Sequence, residues 1–302
     1  MKRFLHKIAI ISVSALLCGT GALYGCGETV EEPPYSPEIE YTIDETVLES
    51  KINANDTQFS VKEVTQVEES PLYGKTFYWL GSSVTYGASS QGESMADFLA
   101  AKTGAVCKKE AVSGTTIFDD GGNGDTGLRS YTRRLKTGKV FDVTEEVDAF
   151  ICQISTNDAR NDRLTKWGTI TGEDVTETSE FDLKTTLGGV EFIISYVFET
   201  WGCPVYFYSG GWFGDSGARS SSNPTGTNYG KLVDEVKKVV EKWQNLGYDV
   251  GVIDLFNDED FNAQASEDYY KWCMNDAIHP RRAGYLNWWM PYFEQYLLVA
   301  LH

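Results

Sequence analysis

The sequence predicts an α/β protein of three layers, in which helices cover both faces of a mainly parallel, five-stranded sheet. Two observations lead to this fold class. Apolar segments of strand length alternate with longer segments whose apolar residues recur at helical spacing. The segment "VDAFICQIS" (147–155) is almost continuously apolar, which is typical of a strand covered on both faces. Strands joined through helices run parallel, because each crossover returns the chain to the same end of the sheet.

Each element has a local signal in the sequence. The other predicted strands are "KTFYWL" (75–80), "AVCKKEAV" (105–112), "CPVYFYSG" (203–210) and "YDVGVIDLF" (248–256). The predicted helices are "ESMADFLAAKTG" (93–104), "LGGVEFIISYVFETWG" (187–202), "NYGKLVDEVKKVVEKWQNLG" (228–247) and "RRAGYLNWWM" (281–290). Pro291 must kink or restart the last helix, because it has no N–H to donate. The alternating pattern of "TQFSVKEVTQV" (57–67) predicts a further strand.

The first 25 residues have the pattern of an export signal, with a basic start, an apolar stretch over residues 8–17 and then small residues. The stretch is too short to span a membrane comfortably. Its end, "LYGC", resembles the lipobox of bacterial lipoproteins, and this resemblance implies cleavage before Cys26 and a lipid on its sulfur. An ordinary secreted protein that is cut nearby is the alternative.

The rest of the chain divides into three parts. Residues 26–47 form an acidic, proline-containing linker, residues 48–73 an N-terminal extension expected to pack on the domain, and residues 74–302 the main domain. The net charge of −18 argues against nucleic acids and anionic membrane surfaces as partners. We also expect a monomer, attached to a membrane only through an N-terminal lipid.

Four cysteines lie in or near apolar segments of the domain: Cys107, Cys152, Cys203 and Cys273. Their spacing matches neither a metal site nor a small disulfide scaffold, which favours buried free thiols. In an exported protein some of them could instead form disulfides. With isolated cysteines and a single histidine before the terminal His302, we expect no metal site.

Candidate catalytic residues follow the predicted strands, where parallel sheets place their active crevice. Ser83 follows the first strand, Gly114 the second and Asn157 the third, while Asp276 and His279 lie beyond the fifth. A serine nucleophile needs an adjacent base and donors for the oxyanion that it creates. The N–H of a glycine can approach a substrate oxygen closely, and an asparagine amide can supply a further donor.

Histidine is scarce, and this scarcity is informative. The chain has three: His6 in the export signal, His302 at the end, and His279. A catalytic histidine in the domain must therefore be His279. Asp276, three residues earlier, can accept from one ring nitrogen and leave the other free as a base. A histidine with only a structural role is the alternative, since Asp and His are both common in loops.

Together, "GSSVTYG", "SGTT", "STND" and "DAIH" resemble the four sequence blocks of SGNH (GDSL-type) hydrolases in order and approximate spacing. The resemblance covers roughly residues 74 to 300. It implies a flavodoxin-like sheet in the order 2-1-3-4-5 and ester hydrolysis without a metal or cofactor. It also implies a Ser83, His279 and Asp276 triad, with an oxyanion hole formed by the Ser83 and Gly114 N–H groups and the Asn157 side chain.

Two positions depart from the family pattern: Ser82 stands where the first block usually has aspartate, and Ser155 where the third usually has glycine. Neither position supplies the chemistry. The export signal and the resemblance together favour a serine esterase that removes O-acetyl or similar short acyl groups from extracellular carbohydrate. The alternatives are a lysophospholipase or lipase and a catalytically inactive glycan-binding lipoprotein.

Substrate contacts are predicted less specifically. Aromatic residues follow the strands and could stack on a sugar or pack within loops, namely Trp167, Trp212, Phe213 and Tyr229. Arg160 and Arg163 follow Asn157, and they could bind an acidic sugar or form ion pairs.

Overall fold

Five parallel strands form the centre of the molecule. The computed structural model describes residues 41–119, 121, 130–137, 140–211 and 224–301. The strands are β1 (Thr76–Gly81), β2 (Val106–Ala111), β3 (Ala149–Gln153), β4 (Val205–Tyr208) and β5 (Val250–Ile253). Their order in the sheet is β2-β1-β3-β4-β5, with every neighbouring pair parallel. The predicted fold class and strand order are confirmed.

Helices connect the strands and cover the sheet. They are α1 (Ser83–Tyr86), α2 (Met95–Thr103), α3 (Tyr131–Lys136), α4 (Thr186–Thr200), α5 (Pro224–Asn245), α6 (Glu259–Ala263), α7 (Glu267–Cys273), α8 (Arg282–Gly284) and α9 (Met290–Ala300). Gly104 ends α2 in the left-handed conformation at φ 74°. The predicted helix over residues 93–104 therefore ends at its glycine, which adopts this conformation more readily than other residues do.

The alternation of side chains along each strand divides the core into two layers. Tyr78, Leu80 and Phe150 face one side, where α3, α4 and α5 pack. Phe77 and Trp79 face the other, which is covered by α2, α6, α7 and α9. Because both faces are buried, the central strands are apolar at successive positions, as the sequence of β3 indicated.

The last helical segment begins with α8 and then widens into a π-helical turn over Tyr285–Trp289. The helix α9 follows directly, with Pro291 in its first turn. Proline has no N–H and cannot donate the usual helical hydrogen bond. The wider turn lies just before it, and the chain continues as a regular helix instead of breaking. Trp288 and Trp289 of the π-turn are almost fully buried in the core.

The predicted strand over residues 57–67 is wrong. The structure has short 3-10 helices at Thr57–Phe59 and Val61–Glu63. The Asp56 side chain accepts a hydrogen bond from the Gln58 N–H and starts the first of these turns. Phe59 is then buried, with its ring edge-on to Trp272 at a centroid distance of 5.5 Å. The apolar residues of this stretch therefore pack from a turn and not from a pleated strand.

Residues 54 and 55, in the same N-terminal stretch, are hydrogen-bonded to the loop after α1 and to α8. Asn55 donates through its side chain to the Ser89 carbonyl and accepts at its side-chain oxygen from the Arg282 N–H. The Ala54 carbonyl accepts from the Ala283 N–H. Asn55 thus links the loop after α1 to the start of α8.

Several predictions concern residues outside the described part of the chain. These are the export signal over residues 1–25, Cys26, the linker up to residue 40, and the side chains of Trp212 and Phe213. Among the helices that are described, none combines the length and apolar character needed to cross a membrane.

Candidate active site

The candidate nucleophile, Ser83, is the first residue of α1 and follows β1 after a single residue. This tight connection requires Gly81, because a Cβ at that position would lie 1.7 Å from Thr85 Oγ1. Ser83 is 9% exposed. The serine therefore stands at the carboxyl edge of the sheet in a nearly buried position.

His279 meets this serine from the far end of the chain. Its Nε2 lies 2.7 Å from Ser83 Oγ, across 196 residues of sequence. Its Nδ1 lies 2.9 Å from Asp276 Oδ2 and 3.0 Å from Oδ1. The structure thus brings together the serine, histidine and aspartate that the sequence singled out, in the order nucleophile, base and orienting carboxylate.

A short loop sets the geometry of the histidine and its carboxylate. Asp276 Oδ1 accepts hydrogen bonds from the backbone N–H groups of Ile278 and His279, each at 2.8 Å. The loop is closed by bonds from Asn275 N to His279 O and from Arg281 N to Cys273 O. An Asx-type turn therefore places the carboxylate against the imidazole through contacts only two and three residues apart.

These contacts decide the charge of Asp276. Partial burial would raise the pKa of its carboxyl, but hydrogen bonds from the His279 ring and from the Ile278 and His279 N–H groups outweigh burial and hold this pKa far below its usual range. Asp276 is therefore ionised and accepts the Nδ1–H of His279. The other ring nitrogen, Nε2, is then unprotonated in the neutral ring and can accept the Ser83 proton.

Gly114 lies in the turn after β2 and has the left-handed φ of 80°, which other residues rarely adopt. A side chain built at this glycine would meet no atom within 4 Å, so the space in front of it is open. Within the described part of the chain, neither the Ser83 N–H nor the Gly114 N–H has an acceptor. Both can therefore donate to a bound oxygen.

Asn157 lies in a 3-10 helix, Thr156–Ala159, that follows β3. Its Nδ2 donates to the Thr115 carbonyl at 3.0 Å and lies 3.3 Å from Ser155 Oγ. The structure therefore brings Asn157 to the Gly114 turn, with its amide engaged by protein groups. The Ser155 hydroxyl donates to the same Thr115 carbonyl at 2.9 Å. The serine that departs from the family pattern thus fastens the Asn157 loop to this turn.

Sequence reasoning missed Asp158, which is fully buried beside Asn157. Its carboxylate accepts from the Ile117 N–H at 3.0 Å and from Thr186 Oγ1 at 2.8 Å. Burial raises the pKa of the Asp158 carboxyl to about 6, although these hydrogen bonds act in the opposite direction. Its only signal was a carboxylate next to an apolar strand, which is too common to single out.

A second missed residue is Arg134 of α3, whose side chain is 3% exposed. Its Nη2 donates to the Gly81 carbonyl at 2.8 Å and lies 3.3 Å from Thr115 Oγ1. Its Nη1 pairs with Glu110 at 3.2 Å. This arginine joins the ends of β1 and β2 to the Gly114 turn. No local sequence pattern indicated that it would be buried at the candidate site.

The predicted substrate residues have varied outcomes. The Arg160 side chain is 56% exposed and lies 3.4 Å from Asp162, in the ion pair that was its alternative. Trp167 donates to the Asp158 carbonyl, and Tyr229 is buried between the Gly210 N–H and the Ile154 carbonyl. Trp167 and Tyr229 pack within the protein, as their structural interpretation expected. Trp212 and Phe213 lie outside the described residues.

The remaining metal-binding side chains and thiols form neither a metal site nor a disulfide among the described residues. In the described ranges, no group of three or more His, Cys, Asp or Glu side chains is arranged to hold a metal ion. Cys107, Cys152, Cys203 and Cys273 are free thiols. Burial raises the pKa of the Cys107 and Cys203 thiols to about 12, so they remain protonated and unreactive at neutral pH.

Comparison with known proteins shows similarity of fold. No family model matches the sequence, and no curated protein matches it. One crystal structure is 19% identical, with a TM-score of 0.56 over 76% of this chain and 98% of its own. A Lactobacillus plantarum protein is 17% identical, with a TM-score of 0.53 over 75% of this chain and 98% of its own. The native aryl esterase of M. Smegmatis is 14% identical, with a TM-score of 0.49 over 76% of this chain and 100% of its own.

Proposed function

We propose that this chain is a serine esterase of the SGNH type that hydrolyses short acyl esters, such as O-acetyl groups, on carbohydrate outside the cytoplasm. The observation that carries the proposal is the continuous chain of contacts from Ser83 Oγ to His279 Nε2, and from His279 Nδ1 to Asp276, at 2.7 and 2.9 Å. An ionised carboxylate, an oriented imidazole and a serine hydroxyl in this order activate the hydroxyl for attack on a carbonyl.

The first half-reaction forms an acyl-enzyme. Ser83 Oγ attacks the ester carbonyl carbon while its proton passes to His279 Nε2. The carbonyl oxygen becomes an oxyanion, for which the Ser83 N–H, the Gly114 N–H and the Asn157 amide are the proposed donors. Asn157 exchanges its bond to the Thr115 carbonyl for one to the oxyanion. His279 then gives its proton to the departing alcohol oxygen as the carbon–oxygen bond breaks.

The second half-reaction releases the acid. A water molecule loses its proton to His279 Nε2 and attacks the acyl carbon, and the collapse of this intermediate returns the proton to Ser83 Oγ. Asp276 stays ionised in both halves, because its pKa lies far below its usual range, and it stabilises the imidazolium that forms twice. No electron transfer is required.

The surroundings of His279 support an alcohol that is rich in hydroxyl groups. The imidazole delivers its proton to the leaving alcohol, so this alcohol must lie beside the histidine. Asn275 and Asp276, next to that ring in the chain, are exposed and polar. A sugar hydroxyl suits such a hydrated rim better than the glycerol backbone of a lipid packed in a membrane.

A fluorophosphonate probe tests the nucleophile. The wild-type chain should become covalently labelled, and Ser83→Ala should not, because only an activated serine attacks the phosphorus atom. Ser50→Ala, which removes an exposed hydroxyl in the N-terminal extension, is the matched control and should label normally. Absence of labelling in the wild-type chain would instead support the inactive glycan-binding alternative.

A substrate panel tests the acyl group and the alcohol. Acetylated polysaccharides and p-nitrophenyl esters of increasing chain length should show the highest kcat/KM for acetyl. Activity confined to long acyl chains would favour the lysophospholipase or lipase alternative.

Export and lipid attachment belong to the same proposal. The basic start, the apolar stretch and the "LYGC" sequence support a lipoprotein modified at Cys26. Cys26→Ala should move the protein from the membrane fraction to the medium. Equal membrane association of both forms would contradict lipid attachment.

A further inference from the structure

The helix that carries Ser83 is too short to hold itself in place. The helix α1 has four residues, and the residue before it, Ser82, makes no side-chain cap bond. An isolated single turn is unstable, because too few hydrogen bonds compensate for the ordering of its backbone. The position of Ser83 must therefore come from groups elsewhere in the fold.

Gln153, the last residue of β3, supplies the principal contact. It is 1% exposed, and its Oε1 lies 2.9 Å from the Ser82 N–H nitrogen and 2.9 Å from Thr85 Oγ1. The Ser82 hydroxyl and the Thr85 N–H are further donors to the same oxygen, at 3.2 and 3.4 Å. Because a backbone N–H can only donate, the oxygen of the amide must face α1.

These contacts perform from a neighbouring strand what a capping box performs within a helix. The Thr85 N–H occupies the third helical position, whose usual acceptor is the side chain before the helix. The Ser82 N–H is the one that a side chain at the third position usually accepts. Gln153 accepts both. The Ser83 N–H, the first of the helix, has no acceptor among the described residues and remains available.

A second strand completes the arrangement. Tyr208, at the end of β4, lies with its hydroxyl 2.5 Å from Thr85 Oγ1. The single Thr85 hydroxyl proton is directed at Gln153, so Tyr208 donates to Thr85, and Thr85 donates to Gln153. The ends of β3 and β4 thereby fix α1, which itself extends from β1.

We propose that Gln153 is a positioning residue for the nucleophile: its buried amide oxygen caps α1 in trans, holds Ser83 Oγ against His279, and leaves the Ser83 N–H free to stabilise an oxyanion. This inference rests on the proposed esterase function and deepens it. It also accounts for Ser82, since the acceptor at this helix start comes from the sheet and an acidic side chain at residue 82 is not needed.

Three variants test this role. Gln153→Met keeps the size of the side chain and removes the acceptor, whereas Gln153→Glu keeps an acceptor oxygen. Thr103→Val is the matched control, because Thr103 is also fully buried and accepts from a backbone N–H, that of Ala105, but lies before β2 at the opposite edge of the sheet. Fluorophosphonate labelling rates are measured per folded molecule, together with kcat and KM for p-nitrophenyl acetate.

Gln153→Met should lower the labelling rate and kcat by about 10- to 100-fold with little change in KM, because a misplaced nucleophile reacts slowly without weakening binding. Gln153→Glu should recover the labelling rate to within about fivefold of the wild-type value. Thr103→Val should keep the wild-type rate per folded molecule. A normal rate in Gln153→Met, or an equal loss in Thr103→Val, would overturn the inference and leave the esterase proposal intact.

Amide hydrogen exchange separates this inference from the proposed function. The Ser82 and Thr85 amides should exchange at least about tenfold faster in Gln153→Met than in the wild-type chain, and at the wild-type rate in Thr103→Val. If the wild-type chain fails to label but this exchange pattern holds, the esterase proposal fails and the positioning of α1 by Gln153 stands. Unchanged exchange would overturn the positioning itself.

Discussion

The two sides of the candidate site are held in opposite ways. The nucleophile side comprises α1, in which Ser83, Val84 and Thr85 are buried, and the exposed Gly114 turn. Its α1 is fixed by residues distant in sequence: Gln153 is 71 residues from Ser82, and Tyr208 is 123 from Thr85. On the histidine side, residues 273–282, Asp276 is 46% exposed and bonds to groups two and three residues away. The nucleophile side therefore depends on contacts across the sheet, whereas the contacts that orient His279 toward Asp276 lie within one loop.

This difference predicts how each side responds to substitution. Changes at Asp276 and His279 should remove chemistry and leave stability nearly unchanged, because Asp276 is exposed and His279 is only partly buried. Changes around the nucleophile side should alter stability and activity together, because the same buried bonds support both.

The largest effect is expected for His279→Ala. Without the base, kcat/KM should fall by at least about 10,000-fold, while the free energy of unfolding should change by less than about 1 kcal/mol. Ester hydrolysis and urea denaturation measure the two quantities. Added imidazole should restore part of the activity, because the nucleophile side stays assembled. Activity within tenfold of wild type would show that His279 is not the base.

Asp276→Asn should have the next largest effect, a fall of about 1,000-fold in kcat. The amide cannot stabilise the imidazolium that forms during the reaction. Asp268→Asn, an exposed carboxylate in α7, is the control and should leave kcat unchanged. A kcat within tenfold of wild type in Asp276→Asn would argue against coupling between the carboxylate and the ring.

Asp158→Asn tests the buried part of the nucleophile side through pH. The folded-state pKa of Asp158 is about 6, above its ordinary value of 3.8, despite the nearby positive charge of Arg163. A raised carboxyl pKa gives stability that is present below about pH 4 and lost as pH rises through 6. Relative to Asp158→Asn, the wild-type chain should lose up to about 3 kcal/mol of unfolding free energy between pH 4 and 7. The prediction is wrong if denaturant titrations show the same pH dependence of the unfolding free energy for the wild-type chain and Asp158→Asn.

The smallest effect is expected for Tyr285→Phe. The Tyr285 hydroxyl donates to the Val84 carbonyl in α1 at 2.7 Å and is buried. Its loss should cost about 1 kcal/mol of unfolding free energy and a few-fold in kcat. Tyr270→Phe is the matched control, because the Tyr270 hydroxyl is buried without a partner among the described residues, and its removal should not destabilise the protein. Equal effects of the two variants would refute the contribution of Tyr285 to α1.

The contrast between the two sides also explains how far the sequence could be interpreted. The strands of the sheet and the longer helices have strong local patterns, and the structure contains them at nearly the predicted positions. Asp276 and His279 form a local turn, so their spacing was informative. Ser83 could be placed because it follows a strand.

The rest could not be predicted, because it depends on contacts between distant segments. Gln153, Asp158 and Arg134 are ordinary in sequence, and only the packing of distant segments brings them against the loops of the candidate site. The 57–67 strand was wrong for a related reason. Its alternating pattern fits a pleated strand, but a cap at Asp56 and the burial of Phe59 against Trp272 favour turns. A pattern of period two does not specify what a segment packs against.

Asn55 connects the two sides from outside both. Its side chain is hydrogen-bonded to the Ser89 carbonyl and to the Arg282 N–H, so it links the loop after Ser83 to the chain just beyond His279. A shortened chain that keeps this link must therefore include Asn55, although the sheet itself begins at residue 76. The N-terminal segment outside the sheet thus contributes to the alignment of the candidate site, and its removal would release both contacts.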